Sequence, residues 1–190
     1  MNPGWLTKTE GDLLRKYSCD VDINRVLEIG NLYGKSTEYI IDGLMDAFDK
    51  DFSLYCIDPW IYKDDRYGHP GELFWKRFYK LGVDENITHF KAMTREVASF
   101  IMERQYDFCF VDGDHESLPT LFDVLLCSTV TDTILVHDYE SKTHLEVNKA
   151  VDAFLSLSGW KKIETGGTIV VLHGELTLPK AVYGNKKVPV

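Results

Sequence analysis

Short, mainly apolar runs recur along the chain: RVLEI (25–29), SLYCI (53–57), ITHFKA (87–92), YDFCFV (106–111), TILVH (133–137) and TIVVLH (168–173). Runs without strict alternation suit strands covered on both faces, as in a parallel sheet flanked by helices. Most of the intervening segments carry helical spacing. Ile40, Ile41, Leu44, Met45 and Phe48 fall on one side of a helix that Ser36 can cap, and Val97, Phe100 and Ile101 repeat the pattern after Thr94. Leu118, Leu121, Phe122 and Leu125 form a third stripe, and Val147, Ala150, Val151, Phe154 and Leu155 a fourth. The spacing predicts an α/β fold, a doubly wound sheet with helices on both faces. The last two strands depart from this: WKKIET and TIVVLH are joined only by Gly166 and Gly167, too short for a parallel crossover and right for a hairpin. The sheet is expected to be mostly parallel and to end in a C-terminal antiparallel hairpin.

A length of 190 residues suits one well-buried core rather than two, so residues 1–190 are read as a single domain, with disorder expected only at the two ends. Residues 64–80, DDRYGHPGELFWKRFYK, interrupt the alternation with aromatics and mixed charge. The stretch 61–80 is either a crossover helix or a lid facing a substrate. Trp60, Tyr62, Tyr67 and Tyr79 are candidates for an acceptor pocket, whereas the helical spacing of Phe74, Trp75 and Phe78 favours a core position. The net charge of −9 argues against a surface built to hold nucleic acid, which depends on Lys and Arg displacing phosphate counterions. No segment approaches the roughly 20 apolar residues of a spanning helix and no basic-apolar leader opens the chain, so no membrane contact and a cytoplasmic location are expected. Cys19, Cys56, Cys109 and Cys127 are scattered rather than paired, two of them inside apolar runs, as befits buried reduced thiols.

The chemistry concentrates where strands end. In RVLEIGNLYGKSTEYI, Glu28 closes the first strand and Gly30 and Gly34 bracket the turn into the helix. Ligands of open parallel sheets sit at such turns, and a residue without a side chain lets backbone approach a ligand and lets the helix start close to the sheet. The spacing is E-x-G-x-x-x-G, not the dinucleotide G-x-G-x-x-G. Lys35-Ser36 does not complete a P-loop either, because position 29 is Ile. A second carboxylate, Asp58, ends the next strand in YCIDPW, where it can accept two hydrogen bonds from a vicinal diol.

These features resemble the class I S-adenosylmethionine-dependent methyltransferases, over residues 24 to 174. They point to the small group with DGDH and HDY motifs, related to catechol-type and macrocin-type O-methyltransferases. The resemblance implies a Rossmann-like seven-stranded sheet with S-adenosyl-L-methionine as cofactor. Glu28, Gly30, Gly34 and Ser36 would face its methionyl part, whose ammonium favours a nearby carboxylate and whose site would repel phosphate. Asp58 would accept from the ribose, Met93 and Thr94 of FKAMTREV would meet the adenine, and Asp112 would contact the cofactor as well.

In FVDGDHE and LVHDYE, the ends of the fourth and fifth strands carry Asp112 and the pair His137, Asp138. The resemblance makes these strands neighbours, about 5 Å apart. It also makes Asp112, His137 and Asp138 candidate metal ligands, with His137 and Asp138 the catalytic candidates. A divalent cation there, magnesium or manganese, would acidify an acceptor hydroxyl. The related families place an acid or an acid-amide pair where this chain has His137 and Asp138, and an imidazole turns the preference from magnesium toward manganese or iron, or toward no metal. Without metal, His137 or His115 is a candidate general base. In a purely structural role, His137 would only cap its strand. His69, His89, His144 and His173 have no companions at ligand spacing and are read as surface or structural residues. The expected activity is methyl transfer to a hydroxyl of a small-molecule acceptor, with a homodimer as a candidate assembly. The alternatives are a cofactor-binding module without transfer activity and, less favoured by the glycine spacing and terminal hairpin, a nicotinamide oxidoreductase.

Overall fold

The computed structural model describes residues 5–20, 23–61 and 66–176. Helix α1 (Lys8–Ser18) leads into β1 (Arg25–Ile29), α2 (Lys35–Phe48), β2 (Ser53–Ile57), α3 (Pro70–Leu81) and β3 (Ile87–Phe90). Then follow α4 (Thr94–Met102), β4 (Phe108–Val111), α5 (Ser117–Ser128), β5 (Thr133–Val136), α6 (Leu145–Leu157), β6 (Lys161–Gly166) and β7 (Ile169–His173). The seven strands run in the order β3-β2-β1-β4-β5-β7-β6, with β7 antiparallel to both β5 and β6. This is the Rossmann-like sheet with its antiparallel hairpin that the apolar runs and the Gly166-Gly167 pair predict.

Strand residues alternate between two cores, as the period of a strand requires. Val26, Leu54, Phe108 and Leu135 pack with Leu13 and Leu14 of α1, Ile40, Ile41 and Leu44 of α2, and Phe74 and Phe78 of α3. On the other face, Leu27, Ile29, Cys109, Val111, Ile134 and Val136 meet Ile101 of α4, Val124 and Cys127 of α5, and Val147, Val151 and Phe154 of α6. Burial of this kind on both faces, at about 25 cal/mol per Å² of apolar area, is what fixes the strand ends that carry the polar groups. Residues 70–81 form a crossover helix that buries Phe74 and Phe78 and leaves Trp75 half-buried and Tyr79 exposed. Tyr62 lies outside the described residues. All four cysteines are free, and Cys56, Cys109 and Cys127 are buried.

Two readings of the sequence need correction. The expected disorder at the N-terminal end does not extend to residues 8–18, which form α1, started by a capping box between Thr7 and Glu10 and docked through Leu13 and Leu14. In α5 most of the stripe read as core is turned outward: Leu118, Phe122 and Leu125 are exposed and Leu121 alone of the four packs against the core, while Val124, Leu126 and Cys127 face inward with Thr120 and Asp123. The helix SLPTLFDVLLCS is apolar nearly all round, so its periodicity does not select a face. Among the described residues no helix is long and apolar enough to cross a membrane.

Candidate functional site

The parallel strands all end on one edge, and a cleft of about 1080 Å³ opens above them. Its lining includes Gly30, Asp58, Met93, Thr94, Asp112, His137 and Asp138, so most of the residues singled out in the sequence are brought together. A cleft of this size accommodates a nucleoside conjugate together with a small second substrate.

The turn after β1 is built differently from the expectation. Gly30 has φ +85°, and a Cβ there would stand 2.0 Å from the carbonyl oxygen of Asp112. The bare backbone therefore serves the close approach of the β1 turn to the end of β4. Gly34, φ +76°, does not line the cleft; a Cβ on it would press into Phe78 and Phe74 at 2.8 and 2.9 Å, so this glycine seats α2 against α3. It is also the N-cap of α2, which displaces Ser36 from that role. The Ser36 hydroxyl instead donates to Glu28 Oε1 at 2.5 Å, and the Thr37 hydroxyl to Oε2 at 2.6 Å. Glu28 is fully buried under the turn and does not line the cleft, contrary to its expected place beside a ligand ammonium. Burial pushes its carboxyl up to about 7, against the opposing pull of the Ser36, Thr37 and Cys56 hydrogen bonds.

Asp58 ends β2 facing the cleft, and its two oxygens brace the neighbouring backbone: Oδ2 accepts from Leu32 N–H and Oδ1 from Trp60 N–H, both at 2.7 Å. Burial raises its pKa, partly offset by those N–H groups. A carboxylate has about four acceptor sites, so these backbone contacts do not exhaust it. Met93 and Thr94 line the cleft where β3 turns into α4, with Met93 at the N-cap of that helix.

The densest chemistry lies at the ends of β4 and β5, paired in register with Val111 opposite Val136. His137 Nδ1 stands 3.1 Å from Asp112 Oδ1 and 3.3 Å from Asp138 Oδ2, and His115 Nε2 lies 3.0 Å from the same Asp138 oxygen. Neither ring nitrogen of the buried His137, nor His115 Nε2, meets an acceptor in hydrogen-bond geometry, although carboxylates crowd around them. Ligands in cis positions on an octahedral ion at about 2.1–2.2 Å stand roughly 3.0 Å apart. The spacing and misalignment thus suit three donors converging on one cation, and the residues present fit a divalent metal. Burial alone would lower the His137 pKa, but Asp112, Asp138 and Glu10 hold it up at about 12. The neighbouring carboxylates of Asp112 and Asp138 likewise raise His115 to about 9. Asp138, with φ +59°, is held well below the usual carboxylate range by its two histidines despite burial.

Two participants were not expected. His144, read as solitary, puts Nε2 3.9 Å from Asp138 Oδ2, its ring 4.2 Å from that of His115, because the turn after β5 folds α6 back over the strand end. His115, His144 and Asp138 thereby form a second donor group next to Asp112, His137 and Asp138. Glu10 reaches the site from α1, with Oε2 3.6 Å from His137 Nε2. The capping-box pattern T-x-x-E at Thr7 was the signal for α1, but nothing local in it announces a partner 127 positions later. His89 takes the structural role of the two read for it: it stacks on Trp60 with ring centroids 3.8 Å apart.

The profile of a family described as a methyltransferase domain matches residues 27–139, more than half of the chain. No curated protein matches by sequence. Among solved structures, the O-methyltransferase TomG of Streptomyces achromogenes, involved in tomaymycin synthesis and bound to SAM, is 16% identical. It aligns with 90% of this chain and 82% of its own at a TM-score of 0.67. An O-methyltransferase of Bacillus cereus in complex with SAH is 12% identical over 91% and 84% of the two chains, TM-score 0.65. The SAH-bound methyltransferase PaMTH1 of Podospora anserina is 14% identical over 89% and 79%, TM-score 0.64. At such identities the likeness is one of fold, and it coincides with a matched segment that runs from β1 through the turn after β5, the stretch that supplies Asp58, Asp112, His137 and Asp138. The chain belongs to the methyltransferase-domain family.

Proposed function

We propose that residues 1–190 act as a single methyltransferase domain. It would transfer the sulfonium methyl of S-adenosylmethionine to a hydroxyl oxygen of a small molecule, with Asp112, His137 and Asp138 holding a divalent cation beside the acceptor. The observation that carries this reading is the convergence of His137 Nδ1 with Asp112 and Asp138 oxygens at 3.1 and 3.3 Å, at the ends of paired strands and in the cleft that Gly30 and Asp58 also line. The SAM and SAH bound to TomG and to the Bacillus cereus enzyme, which share the fold, support the choice of cofactor.

Asp58 has the free lone pairs to accept from a ribose diol, and the backbone of the Gly30 turn leaves room for the methionyl part. A divalent ion, when bound, would lower the pKa of the acceptor hydroxyl and supply positive charge next to it. The imidazole of His137 favours manganese or another first-row transition ion over magnesium. The methyl passes from sulfur to oxygen in line, leaving S-adenosylhomocysteine, and the hydroxyl proton needs an acceptor. His115, Nε2 3.0 Å from Asp138 and its side chain 41% exposed, would take that proton and return it to solvent once a cation on Asp112 and Asp138 offsets the negative charge that otherwise keeps its ring protonated.

Calorimetry with S-adenosylmethionine, S-adenosylhomocysteine and NAD tests the cofactor; failure to bind either sulfur compound refutes the reading. A screen of hydroxylated acceptors with labelled methyl donor, with and without manganese, tests the rest. Turnover that manganese restores after chelation and that Asp138→Ala abolishes is the expected result. Turnover that survives chelation removes the cation from the mechanism and leaves methyl transfer standing.

A further inference from the structure

His144 has no part in the reaction above, and the fold does not explain its place. It is the N-cap of α6 yet makes no side-chain capping hydrogen bond, at a position where Ser, Thr, Asp or Asn would stabilise the helix. Its ring lies against the strand ends instead, 4.2 Å from the ring of His115, with Nε2 3.9 Å from Asp138 Oδ2. His115 Nε2 stands 3.0 Å from the same oxygen and meets no acceptor in hydrogen-bond geometry. One donor atom from each of the three residues lies within 4.8 Å of the other two, and all three side chains line the cleft.

Two imidazole nitrogens and a carboxylate oxygen that converge in this way are a donor set for a small first-row cation. Ligand atoms on a tetrahedral ion with bonds of about 2.0–2.1 Å stand roughly 3.3 Å apart. The separations of 3.0 and 3.9 Å bracket that value, and His144, whose side chain is 36% exposed, can swing in to close the longer one. Because both imidazoles are partly exposed, water from the cleft can take the fourth position. The neighbouring charges favour an ion as well. Asp112 Oδ1 stands 3.8 Å from His115 Nε2, and the carboxylates that keep this ring protonated would hold a divalent ion in the proton's place, with twice the charge. Asp138 is common to this group and to Asp112, His137 and Asp138, so its carboxylate can bridge two ions, which in two-metal sites lie about 3.5–4 Å apart.

We propose that His115, His144 and Asp138 form a second cation site, distinct from the one on His137 and suited to zinc or a similar tetrahedral first-row ion. The neighbouring first site rests on the function proposed above, whereas the second can fill without it. An ion here would occupy the His115 nitrogen that is to take the acceptor's proton, so metal in excess would oppose methyl transfer.

The test is equilibrium dialysis of the native protein, His144→Ala and His137→Gln against zinc alone at about pH 8, where protons compete less for the imidazoles, with thermal melts to show that each folds. Cobalt(II) in place of zinc gives a second readout, since a four-coordinate cobalt ion absorbs visible light far more strongly than an octahedral one. The native protein is expected to take up two equivalents and to show the four-coordinate spectrum. His144→Ala should weaken one equivalent at least about tenfold and lose that spectrum, one protein ligand of three being gone, while His137→Gln should keep that equivalent and its spectrum. A native protein that binds a single equivalent, lost in His137→Gln, overturns the proposal whether or not His144→Ala loses it too. So does an unaltered zinc affinity in a folded His144→Ala, which would leave the two histidines as partners for the Asp138 charge and nothing more. A single equivalent that His144→Ala removes and His137→Gln retains would instead sink the first site and leave this one standing.

Discussion

Glu10 ties three distant parts of the chain together, and its removal has a predictable size. It is 3% exposed; Oε2 accepts from Thr7 N–H and Thr7 Oγ1, each at 2.7 Å, and Oε1 from Thr168 N–H and Thr168 Oγ1, each at 2.8 Å. The Thr7 groups are at an exposed helix start and can turn to water when the carboxylate is lost, costing about 1 kcal/mol, as for a missing cap. The Thr168 N–H and hydroxyl sit in the half-buried β6–β7 turn, where losing their acceptor adds roughly 1–3 kcal/mol. Glu10→Ala should therefore lower stability by about 3 kcal/mol, or roughly 6–12 °C in Tm for a chain of this size. The pH dependence follows from the sign of the shift. Burial alone would raise the Glu10 carboxyl, but the nearby His137 ring and the hydrogen bonds from Thr168 and Thr7 outweigh it and hold the group well below its ordinary value. Its contribution is then present above the unfolded pKa near 4.5 and lost as pH falls through the folded one. Urea denaturation of both proteins at pH 7 and at pH 3 reads this out directly: the gap should narrow at the lower pH. A gap under 1 kcal/mol at pH 7, or one equally wide at pH 3, would mean that α1 is held by Leu13 and Leu14 alone.

Glu28→Gln should stabilise the protein at pH 8 by up to roughly 3 kcal/mol and do little at pH 4. Its folded pKa of about 7 lies above the ordinary 4.5, so the native carboxylate costs stability as pH rises between those values; paired urea melts check it. Gly30→Ala should cost more than ~3 kcal/mol, because the new Cβ would meet the Asp112 carbonyl at 2.0 Å with φ at +85°; thermal melting and soluble yield measure the loss. Gly34→Ala should be milder, about 1–3 kcal/mol, since its Cβ meets the ring edges of Phe78 and Phe74 at 2.8 and 2.9 Å and those rings can shift. In metal-free protein, His137→Gln should abolish the part of the stability that native protein loses as pH rises from about 6.5 toward about 12, visible in melts at pH 6 and pH 9.5.

What the sequence shows and hides divides along physical lines. Buried parallel strands must be continuous and apolar, so RVLEI, SLYCI, FCFV and TILV announce themselves, and a polar residue that follows such a run must stand at the sheet's edge. Asp58, Asp112, His137 and Asp138 were legible for that reason. The convergence of the last three depends only on β4 pairing with β5, as it does from Cys109 opposite Ile134 to Val111 opposite Val136. Roles were less legible than places. Glu28 carries the charge expected of a ligand contact, yet its side chain points to the α2 face, where Ser36 and Thr37 take it up. A sequence shows that a residue is acidic and ends a strand, but not which side of the sheet has room for it.

Glu10, Asp123 and His144 were hidden for a common reason. Each sits on or beside a helix, where position along the chain fixes a face only if the apolar stripe is unambiguous. In α5 it is not, so Asp123 reads as a polar interruption of an apolar segment until the structure turns it inward and Leu118 outward. The strand ends supply the acidic pairs that any member of such a fold can present, whereas the residues contributed by helices surround those pairs and decide what they do. Glu10 holds the far nitrogen of His137, His115 and His144 crowd the near side of Asp138, and Asp123 waits under Gly113. Two chains that share every strand-end carboxylate therefore differ in what surrounds those groups, and in this chain the surroundings come from α1, α5 and the turn before α6.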